Sequence, residues 1–158
     1  MYNVYIMEMR NIMVYISNSE KETLEIAKEF SLKLKAQDVV VLSGELGAGK
    51  TRFMYGIAEH FNIQNQVCSP TFTIVNEYVA GENINNVDKI FHFDVYRIND
   101  SEEFEDTIGL DYFSQGLCII EWGKNIEDVL PSNTYYIDIQ KDKDNENVRQ
   151  IYITQGGK

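Results

Sequence analysis

A chain of 158 residues with 44% hydrophobic and 25% charged side chains is large enough for one domain with one substantial core. Its formal net charge of −11 argues against broad contact with a nucleic-acid backbone, which calls for clustered Lys and Arg, so any RNA is expected to be held by a partner. The same acidity serves solubility equally well.

The opening stretch MYNVYIMEMRNIMVYIS is interrupted by Glu8 and Arg10 and carries no small-residue cleavage site. It reads as neither a signal peptide nor a membrane span, and a cytoplasmic location without membrane contact is expected. Met7, Met9 and Met13 leave the start open, so residues 1–11 are treated as an uncertain N-terminal extension to a domain spanning 12–155. Residues 12–16 read as a strand. Ser19 and Glu22 then form an S-x-x-E capping box, and Leu24, Ala27, Phe30 and Leu34 follow at helical spacing.

DVVVLSG is a short continuous apolar run, as a strand buried on both faces requires. A second helix follows the glycine-rich stretch, with Phe53, Met54, Ile57, Ala58 and Phe61 on its core face. TFTIVNEYV reads as a strand, residues 81–89 as a polar hairpin loop, and IFHFDVYRI as the next strand. DSEEFEDTIGLDYF suits one acidic helix or two short ones, GLCIIEW a second buried strand. After Pro131 come the strands TYYIDIQ and VRQIYIT, joined by the solvated turn KDKDNEN. Helices and strands alternate early and strands dominate later, which predicts a mixed α/β sheet. Cys68 and Cys118 lie far apart without metal-ligand spacing, and Cys118 within GLCII reads as a buried thiol; no disulfide is expected.

GELGAGKT matches G-x-x-x-x-G-K-[ST] through Gly44, Gly49, Lys50 and Thr51. In such a loop, successive backbone N–H groups curl around a phosphate and the following helix offers its positive end. Gly44, Gly47 and Gly49 permit angles and close approaches that a side chain would block. Lys50 reaches the β- and γ-phosphates, and the Thr51 hydroxyl ligates Mg²⁺. A second acidic group should hold the metal or its waters from the end of a buried strand. Glu121, ending LCIIE, is the choice for the metal, which frees Asp94 in FHFDVYR to orient the attacking water; a strand-end salt bridge is the plainer role for either.

SPTFT, residues 69–73, is either a switch that senses the γ-phosphate through Ser69 or Thr71, or a turn into a strand. Trp122 either packs on the nucleotide or fills the core, the more frequent role for a lone tryptophan. His60 and His92 lack ligand-spaced companions. Arg97 is a candidate phosphate contact, but a salt bridge to the acidic 100–111 segment is the simpler expectation.

LSGELGAGKT, SPTFTIVNEY, FHFDVYRI and IIEW, in this order and spacing, resemble the TsaE (YjeE) family over nearly the whole chain, about residues 17 to 154. Members are bacterial P-loop ATPases required for threonylcarbamoyladenosine modification of tRNA. The resemblance implies a single-domain α/β fold, a P-loop NTPase-like mixed and mainly parallel sheet flanked by helices. It implies ATP bound by Glu45, Leu46, Gly47, Ala48, Gly49, Lys50 and Thr51, with Mg²⁺ on Thr51 and Glu121. Lys50, Asp94 and Glu121 become the catalytic set, and Trp122 moves to the nucleotide. Ser19 to Thr23 and Arg149 match loosely to positions near the adenine. The implied partners are TsaD and TsaB, which transfer the threonylcarbamoyl group while TsaE hydrolyses ATP to support turnover, with tRNA contacted only through them.

Two departures, Arg52 after Thr51 and Gly123 after Trp122, touch no assigned ligand. The chain holds only Arg10, Arg52, Arg97 and Arg149, with no obvious arginine finger, so slow turnover alone and faster turnover with partners is expected. A small P-loop kinase, which usually brings an arginine-rich lid, and a nucleotide-dependent adaptor are the alternatives. A GTPase is disfavoured because no N-K-x-D occurs.

Overall fold

The computed structural model describes residues 2–7, 11–70 and 74–156. Among them one eight-stranded sheet forms the centre of the molecule: β1 (Asn3–Met7), β2 (Ile12–Ser17), β3 (Val39–Ser43), β4 (Val75–Ile84), β5 (Val87–Asp94), β6 (Leu117–Glu121), β7 (Tyr135–Lys141) and β8 (Arg149–Gln155). Their spatial order is β1-β2-β8-β7-β3-β6-β5-β4. The central strands β7, β3, β6 and β5 run parallel, and antiparallel pairs complete both wings. The chain is therefore a single α/β domain with a mixed sheet whose parallel part is its middle.

The apolar run of β3 is continuous because both faces of that strand are covered. Val40 and Leu42 pack on one side with Ile26, Ala27 and Phe30 of α1 (Glu20–Ser31) and Phe53, Met54 and Ile57 of α2 (Lys50–His60). Val39 and Val41 pack on the other side with Phe93, Phe104 and Ile126. That second layer is built from α3 (Ser101–Thr107), α4 (Tyr112–Gln115) and a 3₁₀ segment (Gly123–Val129). The acidic stretch thus forms two short helices, and Asp100 caps the first by accepting from the Glu103 N–H at 2.9 Å.

All five expected core residues of α2 are buried, Phe61 just past its end. In α1, Ile26 takes the core place expected of Leu24, which is only half-buried, and Leu34 is buried beyond the helix end. The cap there is a variant of the expected box. Ser19 Oγ accepts from the Glu22 N–H, but the Glu22 carboxylate reaches past the cap to the Asn18 N–H at 2.7 Å. The two helices meet where a Cβ on Gly56 would lie 2.5 Å from both Ala27 Cβ and the Leu24 carbonyl oxygen, so their backbones nearly touch.

One expectation is corrected. Residues 81–89 are not a loop: β4 continues to Ile84 and the chain reverses at Asn85–Asn86, both left-handed (φ 54° and 63°), with a register irregularity upstream. Two adjacent asparagines are the turn signal, because asparagine tolerates the positive φ that a tight hairpin needs. Residues 3–7, read only as part of an extension, pair antiparallel with β2 as an edge strand. No helix among the described residues is long and apolar enough to cross a membrane.

Candidate functional site

The glycine loop joins the end of β3 to the start of α2, at the carboxyl edge of the parallel strands, where open α/β sheets place their ligands. Gly49 is the residue before the helix, at φ 115°, a conformation closed to side chains, and no side chain caps α2. Its first N–H groups therefore remain available to an anion. Gly44 must be glycine for a second reason: a Cβ there would lie 2.7 Å from the Ile139 carbonyl oxygen of β7.

Across from the loop stands a wall of residues from separate parts of the chain. Parallel pairing of β5 with β6 sets Asp94 beside Glu121 in register. Together with Lys50, Thr51, Ser69 and Trp122 they line one cavity of about 450 Å³, which Leu46, Gly47 and Gly49 complete from the loop side. Glu121 is 4% exposed. Burial pushes its carboxyl upward, but His92, the Ser69 hydroxyl and the Lys50 charge together outweigh that and hold it below the usual carboxylate range. Ser69 Oγ donates to Glu121 Oε2 at 3.0 Å. His92 Nε2 lies 3.8 Å from Oε1, beyond hydrogen-bond reach, so the ring is a close polar neighbour of the carboxylate. Asp94 is half-buried, lines the cavity and accepts from the Tyr96 N–H through Oδ1 at 3.0 Å.

Lys50 donates to the Gly44 carbonyl and, at 3.3 Å, to that of Glu45, while its ammonium sits 5.4 Å from the centre of the Trp122 ring. Trp122 is 46% exposed and packs edge-on against Tyr96, so it does not fill the core. It is also left-handed (φ 63°), as is Ile74 (φ 65°), whose carbonyl accepts from the Asp94 N–H at 2.8 Å. Non-glycine residues held there store backbone strain, and these two adjoin the site's two carboxylates.

A second hollow of about 270 Å³ lies on the other side of the loop, where Asn18, Ser19, Thr23 and Arg149 meet Gly47, Ala48 and Gly49. Glu45 lines neither hollow; its carboxylate is 3.7 Å from Lys141 Nζ. Thr71 lies outside the described residues. Arg97 is exposed and, among the described residues, makes no ion pair with the acidic 100–111 segment, because its side chain sits on the loop before that helix and faces solvent. Sequence reasoning did not find the Ser69–Glu121 bond, the His92 contact or the Lys141 contact with the loop. No local pattern announces them, since they join residues 29 to 95 positions apart.

The family model described as threonylcarbamoyl adenosine biosynthesis protein TsaE matches residues 17–151. The chain belongs to the TsaE family. The tRNA threonylcarbamoyladenosine biosynthesis protein TsaE of Bacillus subtilis (strain 168) is 44% identical over 139 residues, 87% of this chain and 82% of that one. The TsaE protein of Haemophilus influenzae is 36% identical over 157 residues, 95% of each chain. The crystal structure of Bacillus subtilis YdiB superimposes with a TM-score of 0.74 at 33% identity, covering 99% of this chain and 90% of that one. The matched TsaE segment includes the whole glycine loop and the wall facing it.

Proposed function

We propose that this TsaE-family chain is the ATP-binding and ATP-hydrolysing subunit that supports threonylcarbamoyladenosine formation next to the anticodon in tRNA, working with TsaB and TsaD. One observation carries the reading: Lys50, Thr51, Asp94 and Glu121, from separate parts of the chain, line a single cavity with the glycine loop. The names of the relatives supply the pathway. The net charge of −11 fits a subunit that leaves the tRNA to its partners.

The donor set fits Mg²⁺. A threonine hydroxyl and a carboxylate kept ionised are hard oxygen ligands, and this metal ordinarily keeps waters and phosphate oxygens for the remainder. No cluster of three or more His, Cys, Asp or Glu among the described residues forms an all-protein cage. Thr51 and Glu121 would hold the ion, which supplies neutralisation of charge on the β- and γ-phosphates. Lys50 leaves its carbonyl partners to pair with the same oxygens. Asp94 orients a water in line with the terminal phosphoryl group, and the loop amides receive the charge that builds as the bond to the leaving oxygen breaks. The adenine enters the second hollow, beside Ser19, Thr23 and Arg149. Slow hydrolysis alone is expected because Arg52, the arginine that lines the cavity among the described residues, is paired with Glu20, and partner docking is expected to raise the rate.

The decisive assay is threonylcarbamoyladenosine formation by TsaB–TsaD over many turnovers, with phosphate release followed in parallel, with and without this chain. Stimulated turnover coupled to ATP hydrolysis is the expected result. Equal turnover in both arms overturns the assignment, and stimulation without hydrolysis converts the chain into a nucleotide-dependent adaptor.

A further inference from the structure

Lys141 ends β7 and Arg149 begins β8, and the two are register partners across that antiparallel pair. Both reach the glycine loop, 95 to 102 residues away in sequence. Lys141 Nζ donates to the Leu46 carbonyl at 2.9 Å. Arg149 Nε donates to the Ala48 carbonyl at 2.8 Å and Nη2 to the Gly47 carbonyl at 3.4 Å. Three successive loop carbonyls are thus held by two cations of one hairpin.

Peptide planarity gives these contacts a consequence. In a trans peptide the N–H points opposite to the C=O, so carbonyls pulled toward the hairpin turn the following amides away from it. The Ala48 N–H is used within the loop, on the Glu45 carbonyl at 3.0 Å. The amides of Gly47 and Gly49 are the ones aimed outward, where an anion is to be met. Arg149 has little left for a ligand: Nη1 donates to the Glu146 and Val148 carbonyls at 2.5 and 2.9 Å, so all three guanidinium nitrogens are engaged with backbone. Lys141 is kept in place by Glu45 at 3.7 Å, and it passes so near Gly47 that a Cβ there would stand 3.4 Å from its Nζ.

We propose that Lys141 and Arg149 are positioning residues that hold the glycine loop in its phosphate-binding shape before nucleotide arrives. The proposal rests on the reading of that loop as a triphosphate site. It assigns the C-terminal hairpin a task that neither cation performs by touching substrate.

The test compares the parent protein with Lys141→Met, Arg149→Met, the double variant, and the conservative Lys141→Arg and Arg149→Lys. Two readouts are taken: amide hydrogen exchange over residues 44–51 without nucleotide, and affinity for ATP and for inorganic tripolyphosphate, each with Mg²⁺. Each methionine variant should speed loop exchange and weaken both ligands roughly three- to tenfold, as loss of one charged hydrogen bond to the loop implies, with the double variant weaker still. Lys141→Arg should restore both readouts. If the parent binds neither ligand, the triphosphate reading fails while loop exchange still judges the strut. If the parent binds and the methionine variants keep parental exchange and affinity, the positioning role is overturned. Weakening of ATP alone by Arg149→Met, with tripolyphosphate and exchange unchanged, makes that residue a base contact and overturns its assignment here.

Discussion

The two sides of the cavity are built by different rules. The loop side is one contiguous piece, Gly44 to Thr51, whose shape follows from glycine angles and an uncapped helix start. The wall is assembled from Asp94 and Glu121–Trp122, which strand pairing brings together, and from Ser69, which a hydrogen bond to Glu121 ties to them. A contiguous element suits binding, since its groups arrive as a set. A wall assembled by the sheet can place reacting groups at separations no short segment spans, and it is tied directly to the core. The difference predicts that binding belongs to one side and hydrolysis to the other.

The largest effect tests that division. Lys50→Ala should abolish measurable ATP binding, whereas Asp94→Ala should bind ATP as before and lose roughly a hundredfold or more in hydrolysis. Equilibrium binding and single-turnover phosphate release on both variants decide it. Equal loss of binding in the two breaks the comparison, and normal hydrolysis by the Asp94 variant removes that residue from the mechanism.

A smaller effect concerns what the loop side rests on. Gly56→Ala would press a methyl group into the Leu24 carbonyl and Ala27, and a backbone oxygen cannot step aside. A loss of about 1–3 kcal/mol is expected in urea unfolding, from overpacking where α2 crosses α1. An unchanged midpoint would mean that the helices separate at little cost and that the loop's seat is softer than the wall's.

The smallest change probes the wall side without altering it. Cys68 is exposed on the segment leading to Ser69, and Cys118 is buried in β6. Burial pushes the Cys118 thiol up to about 12, so at pH 8 it lies well below its titration and carries almost no reactive thiolate. Iodoacetamide should modify one thiol in the native protein and both in denaturant. Rapid modification of both would show that β6, and Glu121 with it, opens more readily than the loop side.

Much of this was legible beforehand where the governing interaction is local. The glycine loop, the capped start of α1 and the core face of α2 each depend on residues a few positions apart, and each was read correctly. The hairpin expected over 81–89 turns at Asn85–Asn86 alone, a tight turn whose local signal is the positive φ that asparagine allows and not the polar composition of the run around it. Ser69 against Glu121, His92 beneath Glu121 and Lys141 on the Leu46 carbonyl were not legible, since nothing in any short window depends on them.

Residue order alone therefore determined that a glycine-rich loop sits between a buried strand and a helix, because backbone angles and hydrophobic period act over a few residues. Tertiary structure decided which carboxylates face that loop, that Trp122 stands at its mouth and not in the core, and that the far hairpin grips its carbonyls. Those outcomes follow from the order and direction of eight strands, and register is set only when the whole sheet closes around its core.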